Sequence, residues 1–375
     1  MTIEVTVHGA IDEVPAAEWD ALAPDGSPFV EHAWLSCLEE AGCATARRGW
    51  RPAHLTLREG GALVGAAPCY VKDNSEGEFV FDWSWADFAA RVGLEYYPKL
   101  VCAVPFTPAG GERVLVAKGQ DPARVVAAAA QAMAHLTKEL GLSSAHVLFP
   151  REPEIDHLEG AGWLRRAGVQ FQWHNRGYRD WDDFLSTFNS KKRNQLKRER
   201  AQLAKDGVTV ETLRAADLTP EVIEAMFGFY GSTVDKFHWG RRYLNRRFFD
   251  LVATRFAERL AWVVAKKDGA LVAGAFNVKK GKVLYGRYWG SAIELPFLHF
   301  NVCYYHGVAE CIAEGLDRFE PGAGGEHKRA RGFAPTLTHS AHLLADPRLR
   351  KPIAAFLARE REAIARFVED PDAEP

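Results

Sequence analysis

Apolar and polar positions alternate from the start of the chain, where Ile3, Val5 and Val7 sit between polar neighbours, the pattern of a strand covered on one face. Further on, Ala53 to Lys72 (A-H-L-T-L-R-E-G-G-A-L-V-G-A-A-P-C-Y-V-K) reads as two strands joined by a tight turn at Glu59-Gly60-Gly61. Ala261 to Lys280 (A-W-V-V-A-K-K-D-G-A-L-V-A-G-A-F-N-V-K-K) repeats the plan around Asp268-Gly269, and both hairpins carry Gly-Ala-Leu-Val, from Gly61 and from Gly269. Each is followed by an aromatic stretch read as a further strand, Phe79 to Trp85 and Val283 to Trp289. A helix-periodic segment comes next, Pro122 to Leu140 and Phe297 to Leu316, leading into a short strand closed by proline, His146 to Pro150 and Asp317 to Pro321. The same elements in the same order, twice, indicate an internal duplication. The expected architecture is α/β, with two similar domains, each a mixed, mostly antiparallel sheet flanked by helices. The boundary is expected just after Gly160-Ala161-Gly162, dividing the chain into 1–168 and 169–375.

At 375 residues the chain is longer than one hydrophobic core usually organises, and 47% hydrophobic residues suffice for two. A net charge of −2 gives no global attraction to nucleic acid or anionic membrane. The 6 cysteines lack a Cys-x-x-Cys pair and read as buried thiols of a reducing compartment. The amino terminus lacks a basic-then-apolar signal pattern, and no apolar run approaches a membrane span, so the expectation is a cytoplasmic protein without membrane insertion.

A local basic patch lies between the two copies. From Ser190 to Lys205, Leu196 and Leu203 continue an apolar side begun by Phe184, Leu185 and Phe188, while Lys191, Arg193, Lys197, Arg198, Arg200 and Lys205 gather mostly opposite. This is an amphipathic helix with one cationic face, interrupted at Asn189-Ser190. It serves either as a solvated surface or as a contact for the phosphates of a donor nucleotide or the backbone of an RNA. Two more helical patterns, Glu221 to Asp235 and Tyr243 to Arg259, carry dense aromatics, among them Phe227, Phe229, Tyr230, Phe237, Trp239, Phe248 and Phe249. Within Phe297 to Leu316, His299, Cys303, His306 and Glu310 recur along one stripe. Their types suit zinc, yet with no second ligand cluster they read as hydrogen-bonded packing residues, and no metal is expected. In the first copy Asp82, Trp83 and Trp85 are alternatively core or a pocket wall.

The densest chemistry is Arg318 to Phe333, R-F-E-P-G-A-G-G-E-H-K-R-A-R-G-F. Pro321 stops a strand, and Gly322, Gly324, Gly325 and Gly332 allow sharp turns and close backbone approach to a ligand. Glu326 and His327 are potential proton acceptors; Lys328, Arg329 and Arg331 are potential anion partners.

Several motifs carry a family resemblance: Phe171-Gln-Trp-His-Asn, Lys191-Lys-Arg-Asn with Arg198-Glu-Arg, Tyr243-Leu-Asn-x-x-Phe-Phe, Leu284-Tyr-Gly-Arg-Tyr-Trp-Gly, Leu298-His-Phe, Cys303-Tyr-Tyr, and Pro321-Gly-Ala-Gly-Gly-Glu-His-Lys with Arg331-Gly-Phe. The chain resembles the bacterial N-acyltransferase family labelled peptidoglycan biosynthesis/recognition, a branch of the GNAT superfamily related to the Fem aminoacyl-transferases. It departs from that family at Gly324, where glutamine is usual, and at Asn301, where an acid is usual. The resemblance implies tandem GNAT-like (acyl-CoA N-acyltransferase) domains and transfer of an acyl group, fatty acyl among the candidates, to a primary amine.

Amine acylation needs an activated carbonyl beside a neutral amine, donors for the developing oxyanion and a base. Catalytic candidates are therefore Glu326, His327, His299 and Tyr304. Candidates for binding donor or substrate are Gly324, Gly325, Lys328, Arg331, Arg287, Tyr288 and Trp289, with Arg193 and Lys197 on the cationic helix. Neither half carries a clear Gln/Arg-x-x-Gly-x-Gly/Ala pyrophosphate loop. The expected donor is acyl-CoA or an acyl-carrier protein, and the acceptor a peptide, for instance its Lys or Orn side chain, or a small amine. Charged tRNA serving a cell-wall precursor, and non-catalytic peptide or glycan recognition, are the alternatives.

Overall fold

The structure, a computed structural model, describes residues 2–236 and 241–369; the side chain of Glu326, and Phe237 and Trp239 among the aromatics, lie outside the described residues. Met1–Val169 with Thr336–Pro375 forms one compact unit and Gln170–Pro335 the other.

In the first unit β1 (Glu4–His8), β2 (His54–Glu59) and β3 (Ala62–Ala67) lie side by side, antiparallel. Gly60 and Gly61, at φ +57 and +83, supply two successive left-handed residues for the tight turn. A second sheet contains β4 (Cys69–Lys72), β5 (Lys99–Cys102) and β6 (Ser144–Leu148). Between β4 and β5 stands α1 (Trp83–Arg91), and between β5 and β6 α2 (Pro122–Glu139), which buries Val125, Val126, Ala129 and Met133 in one cluster with Leu55, Leu57 and Val147. This helix is the crossover that lets β5 and β6 run parallel, with Leu100 opposite Ala145.

The chain passes into the second unit within β7 (Leu164–His174), followed by α3 (Ser190–Lys205), β8 (Val208–Leu213) and α4 (Pro220–Val234). Then come β9 (Trp262–Lys267), β10 (Ala270–Lys280), β11 (Val283–Ser291), a helix over 298–313 and β12 (Arg318–Glu320), in the sheet order β8-β9-β10-β11-β12-β7. Asp268 and Gly269, at φ +50 and +80, repeat the first hairpin's turn. β11 and β12 are again parallel across their helix, from Val283 opposite Arg318 to Tyr285 opposite Glu320. Both units are therefore built on one strand–helix–strand crossover beside an antiparallel hairpin.

Two expectations change. The chain returns to the first unit within β13 (Ala334–Leu344), whose Ser340–Leu344 pairs with β6, and continues into α5 (Pro347–Glu369); Leu349, Ile353 and Leu357 pack with Trp85, Ala89 and Tyr96. The expected second domain, 169–375, thus loses its last segment because that segment's apolar face is covered by α1. Phe79 to Trp85 is not a strand: α1 begins at Trp83, and the third strand of the first copy is β5. Asp82 is held by Lys99 Nζ at 2.5 Å and Tyr96 Oη at 2.7 Å, while Lys99 also reaches Glu78 at 2.9 Å, all buried. β5 is only four residues long and opens on this buried lysine, whose partners Glu78 and Asp82 lie outside the strand. Asp82 and Trp85 are consequently interior, and Trp83 is 55% exposed, so this trio does not wall a pocket.

α3 begins where expected, with Asn189 Oδ1 accepting from Lys192 N at 2.9 Å. Leu196 and Leu203 are buried, and Lys191, Lys197, Arg198, Arg200 and Lys205 are exposed. Among the described residues no helix is long and apolar enough to cross a membrane.

Candidate active site

Pairing between β11 and β12 ends at Tyr285 and Glu320. Pro321 lacks an amide hydrogen and cannot extend the ladder, so the chain turns away while β11 continues through Gly286, Arg287, Tyr288 and Trp289. Two glycines make this divergence tight at its base: a Cβ on Gly286 would lie 3.2 Å from the Pro321 backbone, and Gly322 sits at φ +91. Between the diverging segments is a cavity of about 240 Å³, lined by Arg287, Tyr288 and Trp289 on one side and Pro321–Gly325, His327 and Lys328 on the other. His299, Cys303 and Tyr304 reach it from the helix, and Ala275 and Asn277 from β10.

The helix is distorted where it meets the cavity. Residues 301–305 form a π turn, preceded by Phe297 at φ +64, a costly conformation for a bulky residue and one that recurs at functional sites. The consecutive Tyr304 and Tyr305 are both buried and have different partners. Tyr304 Oη lies 3.0 Å from His327 Nε2 and 3.5 Å from His299 Nε2, whereas the Tyr305 hydroxyl donates to Glu199. Trp289 and His299 stack at 4.4 Å between ring centres, tilted by 33°.

Electrostatics favour neutral imidazoles. Burial, then His327, Lys328 and Arg331, push His299 down to about 4. Partial burial lowers His327, assisted by the charges of Lys328 and Arg331. Burial raises the Tyr304 phenol, which stays protonated at neutral pH. Lys328 Nζ donates to the carbonyls of Gly322 at 2.7 Å and Ala323 at 3.2 Å, tying down the glycine turn, and burial lowers it to about 8.

Of the residues singled out in sequence, His327, His299, Tyr304, Gly324, Gly325, Lys328, Arg287, Tyr288 and Trp289 meet at this cavity. Glu326 opens the short helix Glu326–Arg331, but its side chain lies outside the described residues. Arg331 turns inward. It donates to Tyr305 Oη at 2.9 Å, the His327 carbonyl at 3.0 Å and Glu199 at 3.2 Å, and lies 3.4 Å over Phe300, so its role is to anchor the loop, not to meet a donor anion. Arg193 and Lys197 do not line the cavity, and Lys197 pairs with Asp182 at 2.8 Å. Along the His/Cys stripe, His306 and Glu310 both bond Thr212 Oγ1, and among the described residues no group of three His, Cys, Asp or Glu can hold a metal. Asn301, standing where an acid is usual, donates to the carbonyls of Glu199 and Phe297, both at 3.0 Å, and does not line the cavity.

Asn277 is the residue that sequence reasoning missed. It is buried at the cavity wall, and its Nδ2 has no hydrogen-bond partner in the structure. Buried amides are rarely left unsatisfied without a reason. The available signal was one polar residue inside the apolar run Ala273 to Val278.

The described architecture is thus a duplicated α/β unit whose second copy opens between two parallel strands that diverge. The chain belongs to the FemAB-like family, described as peptidoglycan biosynthesis/recognition, which matches residues 10–374. Among solved structures it is similar to the C-terminal domain of a putative lysylphosphatidylglycerol synthetase from Agrobacterium fabrum, with TM-score 0.56 and 12% identity over 91% of this chain and 95% of that one. It is equally similar to FemX, with TM-score 0.56 and 12% identity over 94% of this chain and 100% of that one. L-PGS from Bacillus licheniformis gives TM-score 0.51 and 11% identity over 87% and 95% of the two chains. At these identities the likeness is one of fold. Among curated proteins, none matches the chain.

Proposed function

We propose that the protein is an N-acyltransferase that moves an acyl group from a thioester, acyl-CoA or acyl-carrier protein, to a primary amine of a peptide or small molecule. The observation that carries this reading is the Tyr304–His327 hydrogen bond at the mouth of a cavity flanked by the glycine turn. In the reaction the amine nitrogen bonds to the acyl carbon as the carbon–sulfur bond breaks. The ammonium proton passes to neutral His327; the thiolate takes a proton from Tyr304 Oη, which His327 restores across their 3.0 Å contact. The Asn277 amide and Lys328 supply donors and positive charge for the developing oxyanion.

A second reading has charged tRNA as donor and a cell-wall precursor as acceptor, favoured by the exposed cations of α3 and the family description. The argument for non-catalytic recognition weakens, because Asn301 lies off the cavity. Intact-mass analysis of candidate amines with acyl-CoA, acyl-carrier protein or charged tRNA separates the three. A thioester-dependent gain absent in His327→Ala supports the proposal, a ribonuclease-sensitive gain supports the tRNA reading, and no gain with any donor supports recognition.

Asn277→Leu offers an independent check. Losing one oxyanion donor is expected to lower kcat on the order of 10²-fold. Removing an unsatisfied buried amide should leave thermal stability equal or higher. Lower stability with unchanged kcat would assign Asn277 to the core instead.

A further inference from the structure

A second cavity, about 340 Å³, lies across the Trp289–His299 stack from the first and shares those two residues with it. Its remaining wall is mostly apolar, chiefly Ile293, Leu295, Phe297 and Phe300. These side chains are not on a slack loop. Ser291 Oγ donates to Val272 O at 3.1 Å and accepts from Ile293 N at 3.1 Å, Ala292 N donates to Val272 O at 2.9 Å, and Ile293, Leu295 and Phe297 pack against the cluster under β9 and β10. An ordered apolar wall open to water, continuous with a reactive cavity, is a surface that gains by taking up an apolar ligand.

We infer that this cavity holds the hydrocarbon part of the acyl group while the thioester carbonyl lies beside His327. The inference rests on the acyl-transfer reading and adds its substrate class: donors with an alkyl chain, not acetyl alone and not aminoacyl groups. Glu294 is the carboxylate among the described lining residues; its side chain is 95% exposed and 4.0 Å from Lys236. Ile293, Leu295, Phe297 and Phe300 give an alkyl chain apolar contact but offer an α-ammonium no side-chain acceptor, leaving it only the solvated Glu294 carboxylate at the rim.

The test measures binding, so it does not depend on turnover. Acetyl-, butyryl-, hexanoyl-, octanoyl- and palmitoyl-pantetheine are titrated calorimetrically into the wild type, Leu295→Trp and Ile293→Ser. Wild-type affinity should rise about tenfold for every two methylenes until the cavity is filled. Leu295→Trp, which takes up part of it, should make the series level off at a shorter chain while leaving acetyl-pantetheine unchanged, and Ile293→Ser should reduce the slope. A flat wild-type series, no binding, or a slope indifferent to both variants overturns the inference. A chain-length slope with no amine acylated by any member supports the cavity assignment and removes the transferase reading. Acetyl transfer with a flat series does the reverse.

Discussion

Replacing His327 with alanine is expected to lower kcat for amine acylation about 10²- to 10⁴-fold, the range for a positioned general base, with KM for the thioester little changed. His327 is solvent-exposed on a short helix and is not part of a core cluster, so the variant should fold normally. The pH profile makes the assignment specific. In the proposed reaction the neutral imidazole acts as base, and partial burial with the Lys328 and Arg331 charges holds its pKa below the ordinary 6.5. The acid limb of kcat/KM should accordingly lie below pH 6.5. As pH rises through about 8, Lys328 loses its proton and the charge beside the developing oxyanion, which gives an alkaline limb. Lys328→Arg keeps the charge and should move that limb to higher pH. Steady-state rates across pH decide: an acid limb that persists in His327→Ala belongs to another group.

Much of the frame is legible in the chain because it depends on local chemistry. The Gly60-Gly61 and Asp268-Gly269 turns need left-handed residues in succession, and few other pairs tolerate that. The site is announced by Pro321, which ends a strand, and by the glycines that let the chain fold back on Gly286. What stayed hidden depends on distant partners. β5 is four residues long and begins with Lys99, which is buried only because Glu78 and Asp82, residues outside its own strand, offset its charge. Glu199 looks like one more charge on a cationic helix until Arg331 is brought to it. Aligning the two hairpins on Gly-Ala-Leu-Val sets Asn277 against Cys69 of the first copy, a difference that reads as drift until the cavity beside Asn277 is seen.

The Glu199–Arg331 pair also makes the second large prediction. Glu199 is 2% exposed; Oε1 accepts from Gln195 Nε2 at 2.7 Å, and Oε2 accepts from the Tyr305 hydroxyl and from Arg331 Nη2 at 3.2 Å. Arg331→Met keeps most of the side-chain volume over Phe300 but leaves a buried carboxylate without its cation, expected to cost about 3–5 kcal/mol of unfolding free energy. Adding Glu199→Leu removes the stranded charge, and much of that loss should return, since a buried pair replaced by apolar side chains is often close to neutral. Activity should not return with it. Arg331 also donates to the carbonyl of His327, and without that bond the imidazole is no longer held against Tyr304. Chemical denaturation together with kcat on the single and double variants separates the two roles. Recovered stability with kcat still reduced identifies Arg331 as the residue that positions the base, whereas joint recovery would leave it only a support of the fold.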